Sequence, residues 1–524
     1  MRLTRPGKDA LMNRCLLLLL LSLTSTAALC GQVPVFHFTE KPGPYSVGLK
    51  VVHQYDYSRI FRESVDELGK PYEGERARPL QTLIWYPAEP GGKSMTVGDY
   101  VRLVATETNF DKPNSLDVLR ESLSLGPNTK STLWAVRDAP QKSGRFPIVI
   151  YAPSFSSWAW ENADLCEYLA SHGYVVIASP SLGPTTRQMV GTITGANAHA
   201  RDISFLIGYA ASLPNTEVSK VAVVGFSWGG LANLFAAARD DRIGALVALD
   251  GTLRYQPGLV KQVGDVHPEQ MTIPLMYIAK QDDTLERLAL DPEFAAGPSA
   301  LNQWTHGDLI TVHMLAFIHE QMSSMFQRSQ IVWDRFSKEQ NADYAFEDGA
   351  LGYGLIARYT LVFLDAYLKH DLKALEYLKI TPADKEIPKH FVVETFRAAS
   401  GVAPSFVGFR DEVLKQGADH ASDIYLKMRQ ETPDFQLDEA ALASWAASLA
   451  TNGRLSEAID ILKVNAQMHP ESGGVYYSLA LAYEKAGQIP LAIENYKTCL
   501  KYWPTNPDLG DRIKMLSATK PSAN

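Results

Sequence analysis

Residues 220–232 read Lys-Val-Ala-Val-Val-Gly-Phe-Ser-Trp-Gly-Gly-Leu-Ala. The β-branched and apolar run after Lys220 predicts a buried central strand, and the Ala/Leu-rich stretch after Gly229 predicts a helix. Gly225, Ser227 and Gly229 stand between them. A turn this tight from strand to helix has no room for a Cβ two residues before or after the serine, so it needs glycine at both places. Ser227 is then left projecting from the carboxyl edge of a sheet, with the positive end of a helix behind it. The three residues alone would arise at this spacing in roughly one chain in six of this length, taking Gly and Ser at about 7% each. The flanking strand and helix start are what make Ser227 a candidate nucleophile. A serine capping a helix after a structural turn is the competing reading.

The surroundings repeat the theme. Apolar runs at 147–152, 174–179 and 221–225 alternate with helical patterns at 161–171, 198–212 and 229–239. Further strands are expected at 243–249, 273–278 and 309–316, with a closing helix at 353–369. Continuous apolar strands separated by amphipathic helices predict an α/β fold with a mostly parallel sheet covered on both faces. The element order is that of an α/β-hydrolase. Ahead of it, 45–52 and 80–86 read as an opening hairpin whose charged connection, 56–78, is expected to stay in solvent. The polar excursion 91–144, with a helix-like piece near 115–122, reads as a functional loop at the entrance to a site. Met322, Met325, Phe326, Ile331, Val332, Trp333 and Phe336 recur at roughly helical spacing and are expected to pack on the core rather than touch lipid.

At 524 residues the chain is too long for one compact domain. The net charge of −8, without a basic run beyond the first residues, argues against a nucleic-acid partner. Arg2, Arg5, Lys8 and Arg14, then Leu16 to Leu21 and the small residues Thr26-Ala27-Ala28, form a basic, apolar and cleavable leader over 1–31. Export to the periplasm or beyond is the expectation. Lipid anchoring through Cys30 is the weaker alternative, since Leu29 stands where that signal wants a small residue. Cys166 and Cys499 remain after the leader, on separate expected domains, so no disulfide framework is expected. No Cys-x-x-Cys or His-Glu-x-x-His spacing calls for a metal, and no cofactor is implied.

The hydrolase-like domain is expected over 32–380 and a linker with a helical segment over 381–437. Beyond it, Leu442-x2-Trp445-Ala446-x2-Leu449, Ala458, Leu462 and Pro470 recur 34 residues later as Tyr476-x2-Leu479-Ala480-x2-Tyr483, Ala492, Tyr496 and Pro504. Gly453 and Gly487 keep the same register. That period predicts two tetratricopeptide repeats over 438–517, an all-α C-terminal domain that could hold a protein partner.

A serine hydroxyl needs a histidine to take its proton, and the histidine needs a carboxylate to fix its tautomer. In this element order both follow the serine. His319 comes just after the last strand, where the loop returns over the sheet, and is the preferred base. His306 is second, and His313 lies within the strand as a wall position. For the acid, Asp250 ends one strand and Asp282 and Asp283 end the next, and topology does not separate them.

Gly43-Pro44-Tyr45-Ser46-Val47-Gly48, Trp85-Tyr86-Pro87-Ala88, Leu169-Ala170-Ser171-His172-Gly173-Tyr174 and Gly225-Phe226-Ser227-Trp228-Gly229-Gly230 resemble the platelet-activating factor acetylhydrolase and dienelactone hydrolase-like family, over about 43–371. The resemblance implies Asp250 as the acid and His319 as the base. It also implies an oxyanion hole made by the backbone N–H groups of Phe155 and Trp228. That family usually has a His-Gly-x-Gly-like loop where this chain has Pro153-Ser154-Phe155-Ser156, and the missing glycine bears on whether the hole is pre-formed. The expected activity is an exported serine ester hydrolase working through an acyl-enzyme on a small ester, a phospholipid-like acetyl ester being what the resemblance suggests. A peptidase or amidase on the same triad is the alternative within enzymes. A weakly catalytic scaffold whose repeats bind a protein is the alternative outside them.

Overall fold

Val221 and Val223 point to one side of their strand, Ala222, Val224 and Phe226 to the other, and both sets are buried in separate apolar clusters. A strand buried on both faces has to sit inside a sheet covered by helices. The computed structural model describes residues 36–65, 68–111, 128–280, 298–315, 317–329, 331–332, 334, 346–505 and 508–518. Within them an eleven-stranded sheet runs in the order β11-β10-β9-β8-β7-β5-β6-β2-β1-β4-β3. Its strands are β1 (Ser46–Ile60), β2 (Ala77–Ala88), β3 (Ser94–Thr96), β4 (Thr132–Arg137), β5 (Phe146–Ala152), β6 (Val175–Ala178), β7 (Thr216–Phe226), β8 (Ile243–Leu249), β9 (Leu275–Ala279), β10 (Leu309–Met314) and β11 (Val392–Arg397).

The six strands from β6 to β10 are parallel, and β1 and β2 form the expected antiparallel hairpin. Helices α2 (Ile193–Ala210) and α3 (Trp228–Ala237) cover one face, where Ile203, Leu206, Leu231 and Phe235 pack with Ile148, Val223 and Leu246. Helices α1 (Ala163–Ser171) and α4 (Phe346–Leu368) cover the other, where Leu165, Ile356 and Phe363 pack with Val149, Val224 and Val247. This is an α/β-hydrolase-like fold. β5 has β6 on one side and β7 on the other. The chain therefore reverses its winding direction between β5 and β7, and a crevice opens at their carboxyl ends.

Besides β3 and β4, which lie within the excursion 91–144 read as a loop, three features depart from the sequence reading. The charged stretch 56–78 stays in solvent only in its middle, where 63–65 and 68–71 are exposed; at its ends Arg59 of β1 and Arg78 of β2 both reach the buried Asp202, and Arg59 also reaches Asp56. Asp202 accepts from Arg59 Nη2 at 2.7 Å and from Arg78 Nε at 2.6 Å, while Arg78 Nη1 donates to the Gly183 carbonyl at 2.7 Å. Burial alone would raise the Asp202 pKa, but the two guanidinium groups outweigh it and hold it below the usual value. Removing one partner of such a buried pair costs about 3–5 kcal/mol. Second, residues 381–437 are more than a linker, since β11 pairs antiparallel with β10 and closes that edge of the sheet. Third, the helix Phe406–Gln416 belongs with the C-terminal helices, because Phe409 and Val413 are buried among them.

Those helices include Ala421–Glu431, Glu439–Thr451, Leu455–Met468, Gly473–Lys485, Ile489–Tyr502 and Leu509–Ala518. Leu442, Ala446, Ala458 and Leu462 of one pair, and Leu479, Ala480, Ala492 and Tyr496 of the next, are buried in one core. Gly453 and Gly487 each take a left-handed conformation between the helices of a pair, with φ of 79° and 72°.

Met322 and Met325 join the main core, as their spacing suggested, while Ile331 is exposed and Trp333 and Phe336 lie outside the described residues. The proposed leader 1–31 and the helix-like piece at 115–122 also lie outside them. Phe36 and Phe38 stand edge-on to Tyr353 of α4, and Glu40 pairs with Arg358 at 2.8 Å.

Candidate active site

Ser227 joins β7 to α3 with φ 53° and ψ −115°, a conformation that costs a non-glycine residue on the order of 1–3 kcal/mol. The neighbours over-determine it. Its N–H donates to the Leu249 carbonyl at 3.0 Å, and its carbonyl accepts from Gly230 N at 2.9 Å and Thr252 N at 2.8 Å. A Cβ on Gly225 would overlap the Gly229 carbonyl, and a Cβ on Gly229 would overlap the carbonyls of Ala152 and Pro153. Glycine at both places is thus a steric requirement, and the start of α3 lies directly against the end of β5.

Asp250 follows β8 with φ 41° and is fully buried, its N–H donating to the Ile278 carbonyl at 2.7 Å. His319 opens a short 3₁₀ turn, His319–Met322, beyond the end of β10. The three side chains meet although 92 residues separate serine from histidine. His319 Nε2 lies 2.8 Å from Ser227 Oγ, and His319 Nδ1 lies 2.6 Å from Asp250 Oδ2. The other carboxylate oxygen, Oδ1, accepts from Tyr255 Oη at 2.7 Å and from Lys280 N at 3.4 Å. The imidazole also packs on Phe226, with ring centroids 5.0 Å apart.

These contacts set the charges. Burial works to raise the Asp250 pKa, but the hydrogen bond and charge of His319, with the Tyr255 hydroxyl, bring it below the ordinary carboxylate value. For His319 burial favours the neutral ring, but the bond to Asp250 and its charge win, and the pKa stands above 6.5. An imidazole with Nδ1–H held by a carboxylate presents its Nε2 lone pair to the serine hydroxyl, which is the arrangement for general-base activation. His306 is elsewhere, its Nδ1 2.7 Å from the Ser400 carbonyl. Asp282 and Asp283 lie outside the described residues. Among the described residues no group of three or more His, Cys, Asp or Glu side chains could hold a metal ion.

Phe155 and Trp228, the two amides implied as oxyanion donors, belong to adjacent segments, and their rings meet edge-to-face at 5.5 Å. Among the described residues neither backbone N–H has a hydrogen-bond partner.

Residues 134–287 match the model of the dienelactone hydrolase family. That span holds Ser227 and Asp250 and stops short of His319. That part of the chain, under a third of its length, is thus similar to the dienelactone hydrolase family. Among solved structures it is similar to a ferulic acid esterase from Streptomyces cinnamoneus, at 20% identity and a TM-score of 0.46, over 68% of this chain and 98% of that one. No curated protein matches the sequence.

The sequence reading missed the residues that support this domain's site. Tyr255 sits five positions beyond Asp250 in no recognisable pattern. Glu161 and Asn162 open the way into α1, and their partners are dispersed: Ser154 nearby, and Met322 to Met325 far along the chain. The one available signal was a pair of polar residues, Glu161-Asn162, directly before the helix.

Proposed function

We propose that the protein is a serine ester hydrolase. Ser227 attacks the ester carbonyl while His319 takes its proton, Asp250 orients and stabilises the imidazolium, and the Phe155 and Trp228 amides receive the charge on the carbonyl oxygen. The alcohol leaves with the proton from His319, and water, activated by the same ring, releases the acid. The observation that carries this reading is the unbroken pair of hydrogen bonds from Asp250 through His319 to Ser227, at 2.6 and 2.8 Å. The family match over 134–287 supports an ester as the substrate. Short acyl esters, acetyl esters of phospholipid-like alcohols among them, are the proposed class. The leader over 1–31 is proposed to direct export, and the C-terminal helices over 438–517 to act as tetratricopeptide repeats that hold a protein partner.

Ser227→Ala tests the chemistry. The variant should keep its fold, stop reacting with a fluorophosphonate probe and lose turnover of p-nitrophenyl acetate by on the order of 10⁴ to 10⁶. Retained turnover would remove Ser227 from the mechanism.

A further inference from the structure

A loop that offers an amide to an oxyanion must be held still before the substrate arrives, because a donor that has to reorganise contributes little. Related loops use glycine to reach the needed conformation, and here the segment is Pro153-Ser154-Phe155-Ser156-Ser157. Ser156 takes the left-handed conformation itself, with φ 57°. Side chains from outside the segment hold it there. Glu161, fully buried, accepts from the Ser154 N–H at 2.8 Å, from the Ser154 hydroxyl, and from Tyr151 Oη at 3.0 Å. Arg187 donates to the Ser156 carbonyl at 2.8 Å and is itself braced by the buried Glu107 at 2.9 Å. Met189 N donates to Ser156 Oγ at 2.7 Å. Two further backbone bonds close internally and on the next loop: Ser157 N to Ser154 O at 3.1 Å, and Ser181 N to Ser157 O at 2.9 Å. The Phe155 N–H is left over. The residues on either side of Phe155 are thus held through the Ser154 N–H and hydroxyl and through the Ser156 hydroxyl and carbonyl, which leaves the half-buried Phe155 amide available to an oxyanion.

The same short stretch reaches the histidine loop. The Glu161 carbonyl accepts from Met325 N at 3.0 Å and Ser323 Oγ at 3.0 Å, and Asn162 Oδ1 accepts from Ser324 N at 2.8 Å. Asn162 Nδ2 donates to the Met322 carbonyl at 3.3 Å, within the turn that His319 opens.

We propose that Glu161 is a positioning residue that pre-forms the oxyanion hole in place of the missing glycine. Its carboxylate fixes the 153–157 segment so that the Phe155 amide faces the reacting carbonyl, while its own backbone ties that segment to the loop bearing His319. The proposal rests on the protein being an ester hydrolase.

Glu161→Ala separates this role from ordinary support of the fold. A lost oxyanion donor typically costs 10² to 10³ in turnover. The variant should lose kcat for p-nitrophenyl acetate by about 10²-fold with KM changed less than about threefold, since the donor acts on the transition state and not on the bound ester. Inhibition by a trifluoromethyl ketone, which forms a tetrahedral adduct on an active serine, should weaken by the same factor. Glu161→Gln keeps the acceptor for Ser154 N and offers its amide to the hydroxyl, so it should restore kcat to within about tenfold of the native enzyme. Should Glu161→Ala not fold, Ser154→Ala removes only the hydroxyl bond and should still lower kcat severalfold at constant KM. Unchanged kcat in a folded Glu161→Ala, or a rise in KM with kcat intact, would overturn the proposal. So would a loss in both variants that tracks only the folded fraction. If the native protein hydrolyses no ester, or Ser227→Ala is as active as the native protein, the ester-hydrolase reading fails first and takes this one with it. An active native enzyme, an inactive Ser227→Ala and an unaffected Glu161→Ala would sink the role of Glu161 alone.

Discussion

His319 answers to two opposed influences, and their balance sets how the protein responds to pH. Burial favours the neutral ring, while the hydrogen bond and charge of Asp250 favour the imidazolium and prevail, placing the pKa above 6.5. Catalysis needs the neutral ring, so kcat/KM should climb with pH through an apparent pKa above 6.5. Stability runs the other way. A histidine raised on folding stabilises fully below its unfolded value, and that contribution is lost as pH rises through the folded one. The lowered pKa of Asp250 adds stability that is lost only in acid, as pH falls through a value below 3.8. Asp250→Asn removes the strongest influences raising the histidine and leaves burial, so the acid limb should shift to lower pH while turnover drops by roughly 10⁴. A pH–rate profile of the two proteins from about pH 5 to 9 checks both, spanning the histidine range. An unmoved limb would take Asp250 out of the role. The paired changes Asp282→Asn and Asp283→Asn should cost far less. Ser227, Asp250 and His319 were legible in the sequence because each sits at a strand end in a fixed order, and the family resemblance favoured Asp250. Glu161, Asn162 and Tyr255 were not, because supporting side chains obey no spacing and are identified only by which atoms they meet.

At the level of the elements, the elbow is the tightest junction. A Cβ on Gly229 would meet the main chain of Ala152 and Pro153, which cannot rotate away as a side chain could. Gly229→Ala should therefore destabilise the protein by about 1–3 kcal/mol, the usual cost of overpacking. It should also lower kcat more than the stability loss explains, because it pushes α3 from the segment carrying Phe155. Urea denaturation, with kcat measured where the variant is fully folded, separates the two; a stability loss with normal kcat would show that the junction is structural only. The parallel strands were readable to within a few residues, since a strand buried on both faces shows as an unbroken apolar run. β11 was not. Only one of its residues, Val392, is buried, the others alternate between half-buried and exposed, and it comes after the turns around Pro382 and Pro388, so its partner β10 is what defines it. The burial of Arg59 and Arg78, at the two ends of the charged stretch, was not legible for the opposite reason: it depends on Asp202, which lies on α2.

On the scale of the molecule, the sheet and the C-terminal helices have separate apolar cores. Val402, Phe406 and Phe409 already belong to the helical core, whereas β11 and the contact of Ser400 with Thr305 and His306 belong to the sheet. A chain ending after Gly401 should therefore fold and turn over p-nitrophenyl acetate within about threefold of the full chain, while losing any protein partner. Ending before Val392 should instead expose the β10 edge and promote aggregation. Size-exclusion chromatography with kcat measurements distinguishes these outcomes, and a folded but inactive chain ending at Gly401 would mean that the helices support the site. The 34-residue repeat made the paired helices legible, yet it could not reveal that the helix Phe406–Gln416 is part of their core, since that helix lies outside the period. The contact of residues 36–40 with α4 has a bearing on time. Thr39 meets the carbonyl of Ala350, 311 positions later. Closing so long a loop is only slightly harder than closing one half its length, by about 0.6 kcal/mol per doubling. The delay is instead one of synthesis: Phe38 can meet Trp134 and Tyr168 earlier, but a chain emerging from its N-terminus carries Phe36 without its ring partner Tyr353 until α4 has been made, and for that interval this ring is surface that a chaperone can hold.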